Sequence, residues 1–225
     1  MSHKFIYDIT AFTALDYPDH LAAIIWFAKC NMRCQYCYNK DIVLGEGEIS
    51  QEEALEFLDS RVGLLEAVVL SGGESTLYSD LLEFCIKIKE KKFKIKLDTN
   101  GLNPLLIQLL VEHNLVDYIA LDYKAPKEKF FAITKNKHFD DFSKTLNFLI
   151  ARDFPFEVRT TVHSDLLRAE EINRIIADLY KRGYRGNYYL QPFVFTDTIL
   201  SKLKEEKTTF ERKKLSDKLK VVWRE

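Results

Sequence analysis

The residues best equipped for chemistry lie in one short run, Cys30-Asn31-Met32-Arg33-Cys34-Gln35-Tyr36-Cys37, three cysteines spaced C-x3-C-x2-C. The run follows Ala22-Ala23-Ile24-Ile25-Trp26-Phe27, an apolar stretch that reads as a buried strand. Three thiolates crowded together at a strand's end form a cup for a soft metal centre. Iron–sulfur clusters normally take four thiolates; three local ones, with no fourth in view, describe a cubane whose fourth iron stays open to a small molecule. A closed zinc site would want four ligands, usually in paired C-x2-C sets, and no second His or Cys pair completes one. A disulfide framework does not suit a chain of 225 residues with four cysteines in all. The remaining cysteine, Cys85, shares helical spacing with Leu81, Phe84 and Ile88 and reads as a packed small hydrophobe.

A second set of candidates falls at the ends of later apolar runs. Gly72-Gly73-Glu74 follows Ala67-Val68-Val69-Leu70-Ser71, and Asp98-Thr99-Asn100-Gly101 closes the run that begins at Lys94. Asp122 and Lys124 close Tyr118-Ile119-Ala120-Leu121, while Arg159 and Thr161 lie in Glu157-Val158-Arg159-Thr160-Thr161-Val162. Adjacent glycines let backbone approach a ligand without side-chain bulk. Glu74 offers a carboxylate to an ammonium group, Asp98 and Asp122 suit ribose hydroxyls or a small cation, and Lys124 suits a ligand carboxylate. Taken singly, Gly72-Gly73 is a tight turn and Asp122 with Lys124 a surface ion pair. Taken jointly, beside the cysteines, they describe a ligand with ammonium, carboxylate and ribose set against an open iron. S-adenosylmethionine is such a ligand.

The elements that must position these groups alternate. Six strand patterns, the last at Tyr188-Tyr189-Leu190-Gln191-Pro192-Phe193, are separated by helical patterns. Ser50-Gln51-Glu52-Glu53 is a capping box, Asn103-Pro104 a helix start, and Gly183 a helix stop. Residues 1–21 read as a lead-in to the first strand, and the segment after Pro126 as loose until a helix near 140–152. Crossover helices imply parallel strands, whose carboxyl ends emerge on one face where sites are built. The choice lies between a doubly wound sheet and a barrel. A full eight-unit barrel needs about 250 residues, so six units would give an incomplete one, and the expected fold is α/β, an incomplete TIM-like (β/α)6 barrel of parallel strands with outer helices. The strand at 94–99 alternates and is expected to be less covered than the others. The lysines between 87 and 96 read as a solvated helix end and an outward strand face. One domain is expected over 1–225, with a barrel core over about 22–193 and a charged C-terminal helix over about 207–221.

Here the motifs resemble a known family. Cys30-x3-Cys34-x2-Cys37 with Tyr36 before the last cysteine, and Ser71-Gly72-Gly73-Glu74 downstream, are similar to the radical S-adenosylmethionine superfamily. Cys37-Tyr38-Asn39, Asp98-Thr99-Asn100-Gly101, Asp122-Tyr123-Lys124-Ala125-Pro126, Arg159-Thr160-Thr161-Val162 and Gln191-Pro192-Phe193 resemble its glycyl-radical-enzyme activating branch. Within that branch the nearest resemblance is to the activating proteins of anaerobic ribonucleoside-triphosphate reductase. The resemblance implies a [4Fe–4S] cluster on Cys30, Cys34 and Cys37. It implies S-adenosylmethionine contacted by Gly72, Gly73, Glu74, Asn100, Asp122 and Lys124 and by backbone near Tyr36 and Tyr38. It also implies a monovalent cation at Asp98, Thr99 and Asp122. The implied partners are a glycyl-radical enzyme, anaerobic ribonucleotide reductase first among them, and a low-potential electron donor such as flavodoxin or ferredoxin. The chain departs from related activases at Tyr38, where a His is usual, at Val194, where some have a His that contacts the cofactor, and at Asp19, where a Gly is usual.

Composition narrows the alternatives. Lys and Arg number 33 against 34 Asp and Glu, a formal net charge of −1, so nucleic acid and anionic membrane are not expected partners. No apolar run is long enough to span a bilayer and no signal pattern opens the chain, so a reducing cytoplasm is the consistent address. Two other functions stay open on the residues alone. One is a small radical S-adenosylmethionine enzyme acting on a free metabolite; the other is a metal-stabilised binding module.

Overall fold

The computed structural model describes residues 4–205 and 210–224. In chain order the elements are β1 (Lys4–Thr13), β2 (Ala22–Phe27), α1 (Lys40–Leu44), β3 (Ile49–Ser50), α2 (Gln51–Asp59), β4 (Ala67–Gly72), α3 (Leu81–Glu90) and β5 (Lys94–Thr99). There follow α4 (Pro104–Glu112), β6 (Tyr118–Asp122), α5 (Lys127–Thr134), α6 (Phe139–Ala151), β7 (Phe156–Val162), α7 (Ala169–Arg182), β8 (Tyr188–Pro192) and β9 (Val221–Trp223). Two compact units divide the chain. One holds the described residues up to Asn31 with Asp41–Thr99 and Asn103–Ile119; the other holds Met32–Lys40, Asn100–Leu102 and the described residues from Ala120 onward.

In the first unit the strands run in the order β3-β1-β2-β4-β5. β2 pairs with β4, and β4 with β5, in parallel; Ile24 faces Val69, and Val69 faces Lys96. The apolar runs are buried outright, with Ala67, Val68 and Leu70 at 0% exposure, a valine or leucine side chain so buried contributing about 2 kcal/mol. The capping box is formed: Glu53 N–H donates to the Ser50 hydroxyl at 3.2 Å and Ser50 N–H to Glu53 Oε2 at 2.7 Å. Asn103 caps α4, its Oδ1 accepting from Leu106 N–H at 3.3 Å, with Pro104 in the first turn.

The second unit contains the parallel set β7-β8-β9, with Thr160 opposite Leu190 and Leu190 opposite Trp223. α7 buries Ile172, Ile175, Ile176 and Leu179 along one stripe and ends at Gly183, whose φ of +97° suits a residue without a Cβ. Among the described residues, no helix is long and apolar enough to cross a membrane.

Four expectations are corrected. Residues 4–13 form a strand rather than a lead-in: β1 lies antiparallel to β2, and Trp26 Nε1 donates to Thr10 Oγ1 at 2.8 Å. The segment after Pro126 is α5, not a loose connection. The strand at 94–99 is covered despite its alternation, because Lys96, at 2% exposure, is paired inside rather than solvated. Finally, the helix expected over about 207–221 is not formed within 210–221; residues 207–209 lie outside the described set. Arg212–Lys214 is a single 3-10 turn, and Val221–Trp223 pairs with β8. Asn173 of α7 holds the segment in that shape, donating to Lys214 O at 2.9 Å and accepting from Ser216 N–H at 2.7 Å. Those are backbone groups that a helix would have paired internally.

Candidate metal and cofactor site

β2 ends at Phe27, and the chain turns at Lys29, which has a φ of +69°. The Phe27 carbonyl accepts from Gly73 N–H at 2.8 Å and the Lys29 carbonyl from Glu74 N–H at 2.9 Å. The backbones approach so closely that a Cβ on Gly73 would stand 1.8 Å from Lys29 O. At Gly72, with φ +109°, a Cβ would stand 2.6 Å from Phe27 N and O. The glycines were expected to admit a ligand; what they demonstrably admit is the backbone leading into Cys30. The glycine turn and the start of the cysteine motif are therefore one construction.

Glu74 is 2% exposed. Its Oε1 accepts from the hydroxyls of Thr76 at 2.6 Å and Thr99 at 2.7 Å, and from Thr76 N–H at 3.3 Å. Beside it, the fully buried Ser75 hydroxyl has no partner among the described residues, and a buried polar group of that kind calls for one. Asp98 receives the Lys96 ammonium at 2.6 Å on Oδ1 and the Ser71 hydroxyl at 3.1 Å on Oδ2.

In the second unit, the last turn of α5 holds the cysteine loop. Its terminal carbonyls have no helical partners; Thr134 O accepts from Arg33 N–H at 2.8 Å and Ile133 O from Gln35 N–H at 3.0 Å. Gln35 Nε2 adds a bond to Ala132 O at 2.8 Å. Cys37 N–H closes a turn onto Cys34 O at 3.1 Å, and Cys37 O accepts from Leu200 N–H at 2.8 Å. Tyr36 is buried and donates its hydroxyl to Lys124 O at 3.1 Å. Burial above all, then Cys34 and Asp122, pushes that phenol well up, so it remains a donor at neutral pH. Tyr38 is half-exposed, its carbonyl accepting from the Thr198 hydroxyl at 2.7 Å.

Asp122 sits between two cations, Arg159 Nε at 2.9 Å and Lys124 Nζ at 2.9 Å, all three side chains at 13–19% exposure. Burial alone would raise the Asp122 carboxyl; Arg159 and Lys124 outweigh it and hold the group below its ordinary range. Burial alone would likewise lower Lys124, but Asp122 and Cys34 raise it. This is no surface ion pair. Asn100 is buried and accepts from Leu102 N–H at 3.1 Å, the geometry of a side-chain-closed turn.

The donor set fits an iron–sulfur cluster. Cys30, Cys34 and Cys37 supply three thiols outside any disulfide, Cys34 buried and the other two partly open. Among the described residues, no three His, Cys, Asp or Glu side chains are gathered as around a single metal ion. Cys85 is also free, buried on α3 with its thiol pushed up to about 12 by burial. The sequence reading missed Lys96, Ser75 and Thr76. Only Lys96 carried a signal: two residues from Asp98 on a strand, it must share that residue's face.

A model of the Radical SAM superfamily matches residues 24–177. A protein of Methanocaldococcus jannaschii, named as a candidate glycyl-radical enzyme activating enzyme, is 37% identical over 128 residues, 56% of this chain and 53% of that one. The pyruvate formate-lyase-activating enzyme of Clostridium pasteurianum is 28% identical over 189 residues, 78% of this chain and 76% of that one. The chain thus spans about half the length of the archaeal relative. Among solved structures, Streptococcus suis SuiB bound to S-adenosylmethionine shares the fold with a TM-score of 0.66 at 13% identity, over 90% of this chain and 52% of that one. The fold is α/β, of the partial TIM-like class, as the alternation of strands and helices predicts.

Proposed function

The chain belongs to the radical S-adenosylmethionine superfamily, whose enzymes use a [4Fe–4S] cluster and S-adenosylmethionine, and from that premise we propose that it activates a glycyl-radical enzyme. Bound at the cysteine motif, the cluster would supply one electron to the sulfonium, yielding methionine and a 5′-deoxyadenosyl radical that takes a hydrogen from a glycine Cα of the partner. The chain's own residues hold and orient. Cys30, Cys34 and Cys37 anchor the cluster. Gly72, Gly73 and Glu74 receive the amino end of the cofactor, with the Thr76 and Thr99 hydroxyls keeping Glu74 fixed. Lys124 and Asp122 meet its carboxylate and ribose, Arg159 holding Asp122 in place. We assign Asp98 and Asn100 to the cofactor as well, and backbone near Tyr36 and Tyr38 to its adenine.

The observation that carries the reading is the joining of the glycine turn to the entry of the cysteine motif, through Gly73 to Phe27 and Glu74 to Lys29. The archaeal and clostridial relatives support the activase branch. Anaerobic ribonucleotide reductase is the partner we propose, with flavodoxin or ferredoxin as electron donor and the chain acting as one domain. The test is anaerobic incubation of the reconstituted protein with S-adenosylmethionine, reductant and that reductase. A glycyl-radical paramagnetic signal on the reductase is expected. Turnover of a free metabolite with no partner present, or no reductive cleavage at all, would overturn the activase reading.

A further inference from the structure

Lys96 lies in mid-strand, in register with Val69 of an apolar cluster that includes Tyr17, Ala22, Ile24 and Ala67. Its side chain is 3% exposed. A lysine is almost never so enclosed unless paired. The pair is Asp98, two residues on and therefore on the same face of β5, with Nζ at 2.6 Å from Oδ1. Ser71 supplies a donor to the other oxygen. In the other unit Asp122 has two cations against its one negative charge. The monovalent cation implied by the sequence resemblance therefore does not fit these residues as they stand. At Asp98 it would meet an ammonium already at contact distance, and at Asp122 a lysine and an arginine.

We propose that Lys96 is itself the cation of this site, a tethered ammonium at Asp98, and that this chain binds S-adenosylmethionine without a bound monovalent cation. The inference rests on the activase reading for the identity of the cofactor, but not for the role of Lys96.

The experiment is a salt exchange on anaerobically reconstituted wild type, Lys96→Arg and Lys96→Ala, moved from choline chloride into KCl or NaCl at constant ionic strength. Melting temperature and calorimetric affinity for S-adenosylmethionine are read in each. Wild type and Lys96→Arg are expected to hold their affinity within about twofold in every salt. Lys96→Ala is expected to bind about tenfold or more weakly in choline and to regain most of that loss, with a rise in melting temperature, when K⁺ or Na⁺ enters the vacated space. Wild type gaining tenfold on exchange of choline for K⁺ or Na⁺ would overturn the proposal. So would a Lys96→Ala protein that responds to those ions no more than wild type. Should Lys96→Ala fail to fold, Lys96→Ala/Asp98→Asn, which leaves no unpaired charge, is expected to show no ion response; a response there would place any cation elsewhere and reject the assignment. Absence of binding in every salt would sink the activase reading, while the melting temperatures still decide the role of Lys96.

Discussion

Thr99 donates its hydroxyl hydrogen to Glu74 Oε1 across 2.7 Å, tying the end of β5 to the glycine turn after β4. Glu74 has almost no contact with water, so its carboxylate depends on such donors. Thr99→Val keeps the shape and removes one of them. We expect a loss of about 1–2 kcal/mol, seen as weaker S-adenosylmethionine binding and a lower melting temperature, with cluster iron unchanged. Affinity equal to wild type would detach Glu74 from the cofactor.

The cysteines divide by environment. Cys34→Ala should abolish cluster assembly and reductive cleavage together, because it removes one of three anchors. Cys85→Ala should cost about 1 kcal/mol of stability and leave cleavage intact, since that side chain is packed at 0% exposure on the core face of α3. Iron content and 5′-deoxyadenosine formation, measured on both variants, decide between them. Equal iron loss in the two would mean that Cys85 is a ligand.

Asp122 and Lys124 give the stability profile a predictable sign. Asp122 is held below its ordinary carboxylate value. The unfolded chain therefore takes its proton first, and the stabilisation is complete above that ordinary value and lost as pH falls through the lowered one. Lys124 is raised above its ordinary value of 10.5, so its contribution is complete below that pH and is lost as pH rises through the folded value. Replacing Arg159 by Leu takes away the stronger of the two cations on Asp122. The acid limb of melting temperature against pH should then move upward, with the alkaline limb retained. An unmoved acid limb would show that Arg159 does not govern Asp122.

What the sequence made legible follows from which forces are local. The apolar runs of β2, β4 and β6 bury themselves wherever they are placed, and the Ser50–Glu53 box and the Asn103-Pro104 start are complete within a few residues. β1 escaped notice because its Phe12 and much of its length stay exposed; pairing with β2, not an apolar run, makes it a strand. α5 is short, and it matters chiefly for the carbonyls it offers to Arg33 and Gln35, about a hundred residues earlier in the chain. Within 210–221 the non-helical shape is held in part by Asn173, far away in sequence. At the site, the residue types and their strand-end positions were readable. The burial of Lys96 was readable only in part: its spacing puts it on the face of Asp98, but nothing local says that this face is covered.

The C-terminal strand offers a test of how far the end of the chain is structural. Glu157 is 1% exposed at the start of β7, and Arg224 engages it twice, at 2.5 and 2.6 Å. The same guanidinium lies 3.7 Å over the Tyr189 ring. Arg224→Leu would remove the guanidinium that pairs with this buried carboxylate, a change that costs about 3 kcal/mol or more, or roughly 6–12 °C in melting temperature for a chain of this size. Adding Glu157→Gln should restore part of that loss, since the buried charge that Arg224 had balanced is gone. Neither change touches the cysteines, so cluster iron per folded protein should be constant across the series. A single variant as stable as wild type would show that water already reaches Glu157, and that β9 is fastened by its pairing with β8 and by the Phe210 and Arg212 contacts of Trp223.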